Sequence, residues 1–241
     1  MRILETEVKQ DEAIFELVGV LLGNGYILCK PPQYRVEISG NSTEDLPYFR
    51  DYISTLFDNI GTDRKIRLRQ CHDKKGSSIR LVLNSKKFVT YLVKDIGLIY
   101  GRRKAEFAEV PNPLLNKGWG LTRLILRGFA DTDGSLFLGR KGTYQNYCYP
   151  TIELKSASPK LLKQFKVLLQ KNGFVPRWRR GYKSKASVLY LSGKQQLLKW
   201  IGEIGFSNPK HLTKYQTWEK IGYCPPRTTL KERLQILTEP G

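Results

Sequence analysis

The chain repeats itself once, so whatever it folds into must be built twice. Leu17-Val-Gly-Val-Leu-Leu-Gly-Asn-Gly25 and Leu126-Arg-Gly-Phe-Ala-Asp-Thr-Asp-Gly134 place glycines alike, so that the interval from Gly19 to Gly128 equals the interval from Gly25 to Gly134. A second pair of segments keeps nearly the same spacing: Asp95-Ile-Gly-Leu98 is answered by Glu203-Ile-Gly-Phe206 at an interval only one position shorter. Two well-separated anchors that hold nearly one offset point to duplication of a whole unit, not to a chance likeness of apolar stretches.

Hydrophobic periodicity predicts the same order of elements in each half. Helices are expected over 12–24 and 120–133, each running directly into a strand (26–30 and 135–140). A second strand (34–39 and 149–155) precedes an amphipathic helix (44–60 and 158–172). Two more strands (64–71 with 78–83, and 175–181 with 187–192) and a helix (85–96 and 193–204) complete each unit. The expected class is α+β, two pseudo-symmetric α-β-β-α-β-β-α repeats with antiparallel sheets backed by helices. Residues 1–110 form the first repeat and 123–241 the second with its tail; 111–122, marked by Pro111, Pro113 and Gly118, is the connector of one folded unit. Beyond Cys224, the tail is expected either to form a last helix or to wrap the surface.

Charge narrows the partner. Lys and Arg number 41 against 22 Asp and Glu, a net charge of +19, and such a surplus concentrates polyanions at the surface. It is uneven, about +3 over residues 1–110 and +16 over 111–241. Cys29, Cys71, Cys148 and Cys224 form no C-x-x-C pair, and His72 and His211 are the only histidines, which argues against a zinc finger. Free thiols fit a reducing compartment. The first apolar run is interrupted at Gly23, Asn24 and Gly25 and is too short to cross a bilayer, so a soluble, intracellular protein without a membrane partner is expected.

The cations gather on strands. Lys65, Arg67 and Arg69 alternate with Ile66 and Leu68, and with Arg64, Lys74, Lys75 and Arg80 they make residues 64–80 seven basic to one acidic. In the second half Arg177, Arg179, Arg180, Lys183 and Lys185 are interleaved with Trp178 and Tyr182. The first hairpins add Lys30 and Arg35 in one half and Arg140, Lys141, Tyr144, Gln145 and Asn146 in the other. A two-stranded ribbon fits the DNA major groove, where Arg and Lys read guanine and Gln and Asn read adenine. Most such cations meet phosphates, which sets affinity and its salt dependence.

Leu126-Arg-Gly-Phe-Ala-Asp-Thr-Asp-Gly-Ser135 closely resembles the signature of the LAGLIDADG homing endonucleases, and Leu17–Gly25 resembles its weaker first-repeat form. The resemblance spans roughly residues 12–220 and implies a monomeric, two-repeat, intron-encoded enzyme. Such an enzyme forms a saddle over a long pseudo-palindromic site in double-stranded DNA. It cuts with Mg²⁺ or another divalent cation and leaves short 3′ overhangs. Small residues four apart (Gly19 and Gly23, Gly128 and Thr132) would let the motif helices approach closely. The family's metal-binding carboxylate falls on Asp133, but its first-motif counterpart is Asn24, a neutral amide. The backbone carbonyls of Gly23 and Thr132 are further metal contacts by resemblance, while Asp131 is expected to serve the helix end. A cation near the reacting phosphate falls on Lys210 and, earlier by the interval that relates Glu203 to Asp95, on Arg102. With one carboxylate missing, this chain is expected to bind DNA yet cut poorly or nick one strand. The alternatives are an RNA maturase and a non-catalytic DNA-binding protein of the same fold.

Overall fold

The computed structural model describes residues 2–73, 76–101, 104–141, 147–180 and 186–239. The first half runs α1 (Arg2–Leu22), β1 (Gly25–Lys30), β2 (Gln33–Asn41), a π-helical segment (Tyr48–Ile53) leading into α2 (Ser54–Ile60), β3 (Arg67–Asp73) and β4 (Gly76–Leu83). It closes with α3 (Lys86–Thr90), which continues as a π-helical turn (Tyr91–Asp95). Two short helices, α4 (Lys104–Phe107) and α5 (Asn112–Leu115), carry the chain across. The second half repeats the order in α6 (Trp119–Asp133), β5 (Gly134–Gly139), β6 (Tyr149–Ser156), α7 (Pro159–Lys171), β7 (Arg177–Arg180), β8 (Ser187–Ser192) and α8 (Lys194–Glu203). It then adds α9 (Pro209–Ile221) and α10 (Leu230–Thr238).

Each half holds a four-stranded antiparallel sheet, ordered β1-β2-β4-β3 and β5-β6-β8-β7. The two-repeat α+β architecture is therefore the one the duplication dictates. Several boundaries differ from expectation. The basic strand starts at Arg67, so Arg64, Lys65 and Ile66 lie in the approach to it. The helix expected over 44–60 contains a widened π segment at Tyr48–Ile53, and Asp45 ahead of it accepts from Asn41 N at 2.9 Å. The tail beyond Cys224 forms a last helix, α10, which packs on α9 and is opened by a capping box between Thr229 and Glu232.

Helix ends follow local chemistry. Ser158 caps α7 by accepting from Leu161 N and donates to Ala108 O at 2.6 Å, tying the connector to the second half. α2 and α7 both stop at a left-handed glycine, Gly61 (φ 71°) and Gly173 (φ 74°), a conformation other residues adopt only with strain.

One continuous core runs through both halves, and α1 and α6 lie at its centre. Their backbones touch. A methyl group on Gly19 would sit 2.1 Å from the carbonyl oxygen of Ile125, and one on Gly128 would sit 2.2 Å from that of Glu16. The two clashes are mirror events of the repeat, since Glu16 and Ile125 are related by the same interval as Gly19 and Gly128. Only glycine fits on either side. Gly19→Ala should cost about 3 kcal/mol through overpacking against backbone that cannot give way, read as a lowered midpoint in urea unfolding. An unshifted midpoint would mean that the helix pair has slack the geometry does not show.

Candidate nucleic-acid interface and cleavage site

The helix pair brings the two motif ends together. A methyl on Gly23 would meet Thr132 Oγ1 at 2.2 Å and lie 3.5 Å from the Cβ of Asp133, so the last turn of α1 abuts the last turn of α6. Thr132 Oγ1 turns back onto its own helix and lies 3.1 Å from both Gly128 O and Phe129 O. Asp133 is exposed and Asn24 half-buried. The Asn24 carbonyl accepts from Ser39 N at 3.2 Å, which fixes the exit of α1 onto β2. The junction thus offers one carboxylate, one side-chain amide and two turns of helix-end backbone. Among the described residues no three His, Cys, Asp or Glu side chains cluster as a metal cage.

Beneath the junction lies a buried polar cluster that no sequence motif announced. Glu16, 1% exposed, accepts from Arg127 Nε (3.0 Å) and Nη2, from Tyr52 OH (2.9 Å) and from Ser207 Oγ (3.1 Å). Burial opposes the charge on Arg127, but hydrogen bonds and charge from Glu16 outweigh it and hold its pKa above the ordinary value. Burial, then the nearby Glu16 charge, pushes Tyr52 up to about 12. Asp131, also 1% exposed, accepts Ser207 N at 2.9 Å. Its Oδ1 has no hydrogen-bond partner among the described residues. Burial lifts its pKa to about 8, against the lowering effect of the Ser207 backbone. Asp131 therefore anchors the chain leading into α9 while Asp133, two residues on, faces solvent.

The start of α9 is the second place where the halves join. Asn208 caps the helix and donates from Nδ2 to Asp131 O (3.0 Å) and to Asp45 Oδ1 (2.9 Å) of the first half. Lys210 Nζ lies 2.9 Å from the same Asp45 oxygen. Through Asn208, Lys210 is held near the end of α6, with its ammonium engaged by Asp45. Its expected partner Arg102 lies outside the described residues. Fully buried His211 is pushed below its usual pKa by burial and then by the cations Lys210, Lys214 and Arg233. Arg233, wholly buried, reaches back to Glu44 at 2.8 Å.

Strand register decides which cations share a face. Glu37 opposes Val82 and Ser39 opposes Arg80, while Arg67 and Arg69 oppose those same β4 residues. With Arg35 and Lys30, these cations lie on the sheet face turned from the helices. In the second half Arg177 and Arg179 take that face, opposite Tyr190 and Val188, with Lys155 beside them. Trp178 takes the other face. It opposes buried Leu189 and packs against the core, and Arg180 shares its side of the strand. The simple alternation expected of this stretch accounts for the difference: Trp178 is the apolar partner that lets Arg177 and Arg179 point outwards. Arg140 lies over the Tyr147 ring at 4.7 Å and Lys141 over Tyr149 at 4.1 Å. Lys74, Lys75, Tyr144, Gln145, Asn146, Tyr182, Lys183 and Lys185 fall outside the described residues. Sequence alone missed Lys155, Phe137 and Tyr190 on this face, although counting alternate residues from the register would have found them.

Arg127→Met should cost about 3 kcal/mol, because it strands a buried carboxylate. For Asp131, the folded pKa of about 8 lies above the unfolded carboxylate value, so the native state binds the extra proton. Stability contributed by this group is full at acid pH and lost as pH rises towards 8. Asp131→Asn should flatten that decline in thermal melts across the range. An unchanged pH slope would show that Asp131 is ionised in the fold.

Residues 121–205 match the LAGLIDADG-like domain family. No curated protein sequence matches the chain. Among solved structures, a set of mesophilic variants of the homing endonuclease I-DmoI superposes with TM-score 0.57 at 14% identity, over 82% of this chain and 97% of that one. The homing endonuclease I-WcaI bound to its DNA recognition sequence gives TM-score 0.54 at 14% identity, over 84% and 82%. Full-length DUF199/WhiA from Thermatoga maritima gives TM-score 0.54 at 14% identity, over 95% of this chain but 60% of that one. At such identities the likeness is one of fold.

Proposed function

We propose that this chain, a two-repeat LAGLIDADG protein, is a site-specific DNA endonuclease of the homing type that hydrolyses phosphodiesters in a long, two-part duplex site. The observation that carries the reading is the meeting of the motif ends, where Gly23 abuts Thr132 and Asp133 at the one place both halves share. Each motif helix leads directly into its own cationic sheet, so a duplex would run along Arg35, Arg67, Arg69 and Arg80 of one and Arg177, Arg179 and Lys155 of the other. Of the structural relatives, I-WcaI is bound to its DNA recognition sequence and I-DmoI is in complex with DNA and manganese.

The donors at the junction fit a hard divalent cation such as Mg²⁺, which is commonly held by one or two carboxylates together with substrate phosphate oxygens. Asp133 would supply the carboxylate, with Asn24 Oδ1 and the carbonyls of Gly23 and Thr132 completing the protein side. Held there by these groups, a divalent cation would supply activation of a water and stabilisation of the leaving oxygen in an in-line displacement. The chain's own residues hold that centre in register: the glycine contact fixes the helix ends, and Glu16 and Asp131 anchor the elements beneath. Lys210 exchanges Asp45 for a backbone phosphate and neutralises charge beside the reacting group. Arg177 and Arg179 bind phosphates and give association its salt dependence.

Asn24 leaves the centre one charge short. Binding is therefore complete while cleavage is slow or confined to one strand. Asn24→Asp should raise Mg²⁺-dependent cleavage at least about tenfold, equivalent to about 1.4 kcal/mol of barrier, in a selection from a random duplex library. Asp133→Asn should abolish cutting and leave retention of the selected duplex intact. If Asn24→Asp binds the same duplex and cuts no faster, position 24 is not a metal position and the non-catalytic DNA-binding reading takes its place. A further check is salt: Arg177→Ala with Arg179→Ala should reduce the slope of log binding constant against log salt by about 2.

A further inference from the structure

The two halves are not equal where their outer helices meet. In the second half, the first residue of α6 is Trp119 and the residue after the left-handed Gly173 is Phe174, 3% exposed. Their rings lie 6.2 Å apart, and Phe174 lies 6.4 Å from Trp200 of α8. Together these three aromatics fill the space between α6, the α7–β7 connection and α8. Lys199 lies over the Phe174 ring at 5.0 Å, and Trp119 Nε1 donates to Glu203 at 3.1 Å.

Backbone hydrogen bonds fix the counterparts in the first half. Phe174 N donates to Leu169 O behind Gly173, as Thr62 N donates to Phe57 O behind Gly61. Thr62 is thus the structural partner of Phe174. Gln10 precedes Trp119 by the interval that relates Gly19 to Gly128, and Leu92 precedes Trp200 by the one that relates Asp95 to Glu203. Three aromatics are replaced by an amide, a hydroxyl and a leucine, and what remains is a groove with a cavity volume of about 1190 Å³. Ile14, Ile60 and Phe88 line its floor, each nearly buried, with half-buried Tyr91 beside them. Arg64, Lys65, Arg67, Lys86 and Lys87 line it against the two acids Asp63 and Asp95, a surplus of three positive charges. Asp63 is further engaged by the Ser85 hydroxyl.

We infer that this groove of the first half docks an acidic segment of a partner protein, which inserts an aromatic side chain where the second half inserts its own Phe174. Two independent features fix the occupant's chemistry. The repeat supplies a template for the apolar part, because the same scaffold closes over an aromatic cluster when it carries one. The rim supplies the charge, because five cations around an apolar floor complement carboxylates flanking that aromatic. The floor lies against α1 and α3, on the helical side of the sheet, and of the five rim cations only Arg67 also lies along the proposed duplex, which leaves the other four to the segment when DNA is bound.

The test uses a fluorescein-labelled synthetic peptide with one central Trp among Asp and Glu residues, titrated by anisotropy with the full chain. Excess random-sequence duplex DNA keeps the cationic sheet faces occupied. Saturable binding is expected. It should weaken at least about tenfold for a control peptide with Ala in place of Trp and for one with Gln in place of the acids. Thr62→Phe with Gln10→Trp fills the groove and should abolish binding, leaving DNA retention as in the parent. Lys87→Glu keeps the groove open and should weaken binding by removing rim charge, which guards against a filled variant that fails to fold. Absence of binding to the parent chain overturns the inference. So does equal binding by the filled variant or by the Ala control, as does displacement of the peptide by single-stranded RNA.

Discussion

Everything in the fold hangs on the approach of two helix backbones. With glycine at 19 and 128, α1 and α6 lie carbonyl against Cα, and no side chain separates them at the crossing. That contact does more than bury surface. It sets the distance between two motif ends that belong to different repeats, and so the spacing of Asn24 and Asp133. Larger residues would keep a core but splay the helices, and each sheet would carry its cations along.

Beside that contact the structure buries the carboxylate of Glu16. Glu16 is satisfied four times over, by Arg127 twice, Tyr52 and Ser207, which is the condition under which a buried ion pair does not destabilise. These partners come from α6, the π-helical segment before α2 and the lead-in to α9. The cluster therefore specifies how three distant stretches of chain meet, where an apolar plug of the same size would accept several arrangements.

The duplication and the glycine spacing made the two-repeat architecture legible before any coordinates, because a helix face of small residues has few other uses. Strand alternation likewise located Arg67, Arg69, Arg177 and Arg179. What stayed hidden depends on pairing across the chain. Trp178 reads as one more aromatic in a basic ribbon until the register sets it against Leu189. Lys210 reads as a free cation until Asp45, from the other half of the chain, is found beside it. Glu16 and Asp131 sit inside motif helices whose pattern says only that one face is buried. The replacement of Phe174 by Thr62 could not be found by constant spacing, because the first half carries two more residues between that turn and its next strand.

The clasp formed by α9 and α10 gives the chain a direction that its repeat lacks. Asn208, Lys210 and Arg233 all reach from the second half to Asp45 and Glu44 in the first, and the first half extends no such pair of helices in return. Half-exchange between proteins of this fold is thus governed by two seams and not one. A hybrid that joins the front of one protein to the back of another must match glycine to glycine at the centre. It must also bring an acidic pair to meet the incoming bases at the rim, or the tail helices are left with cations and nothing to hold.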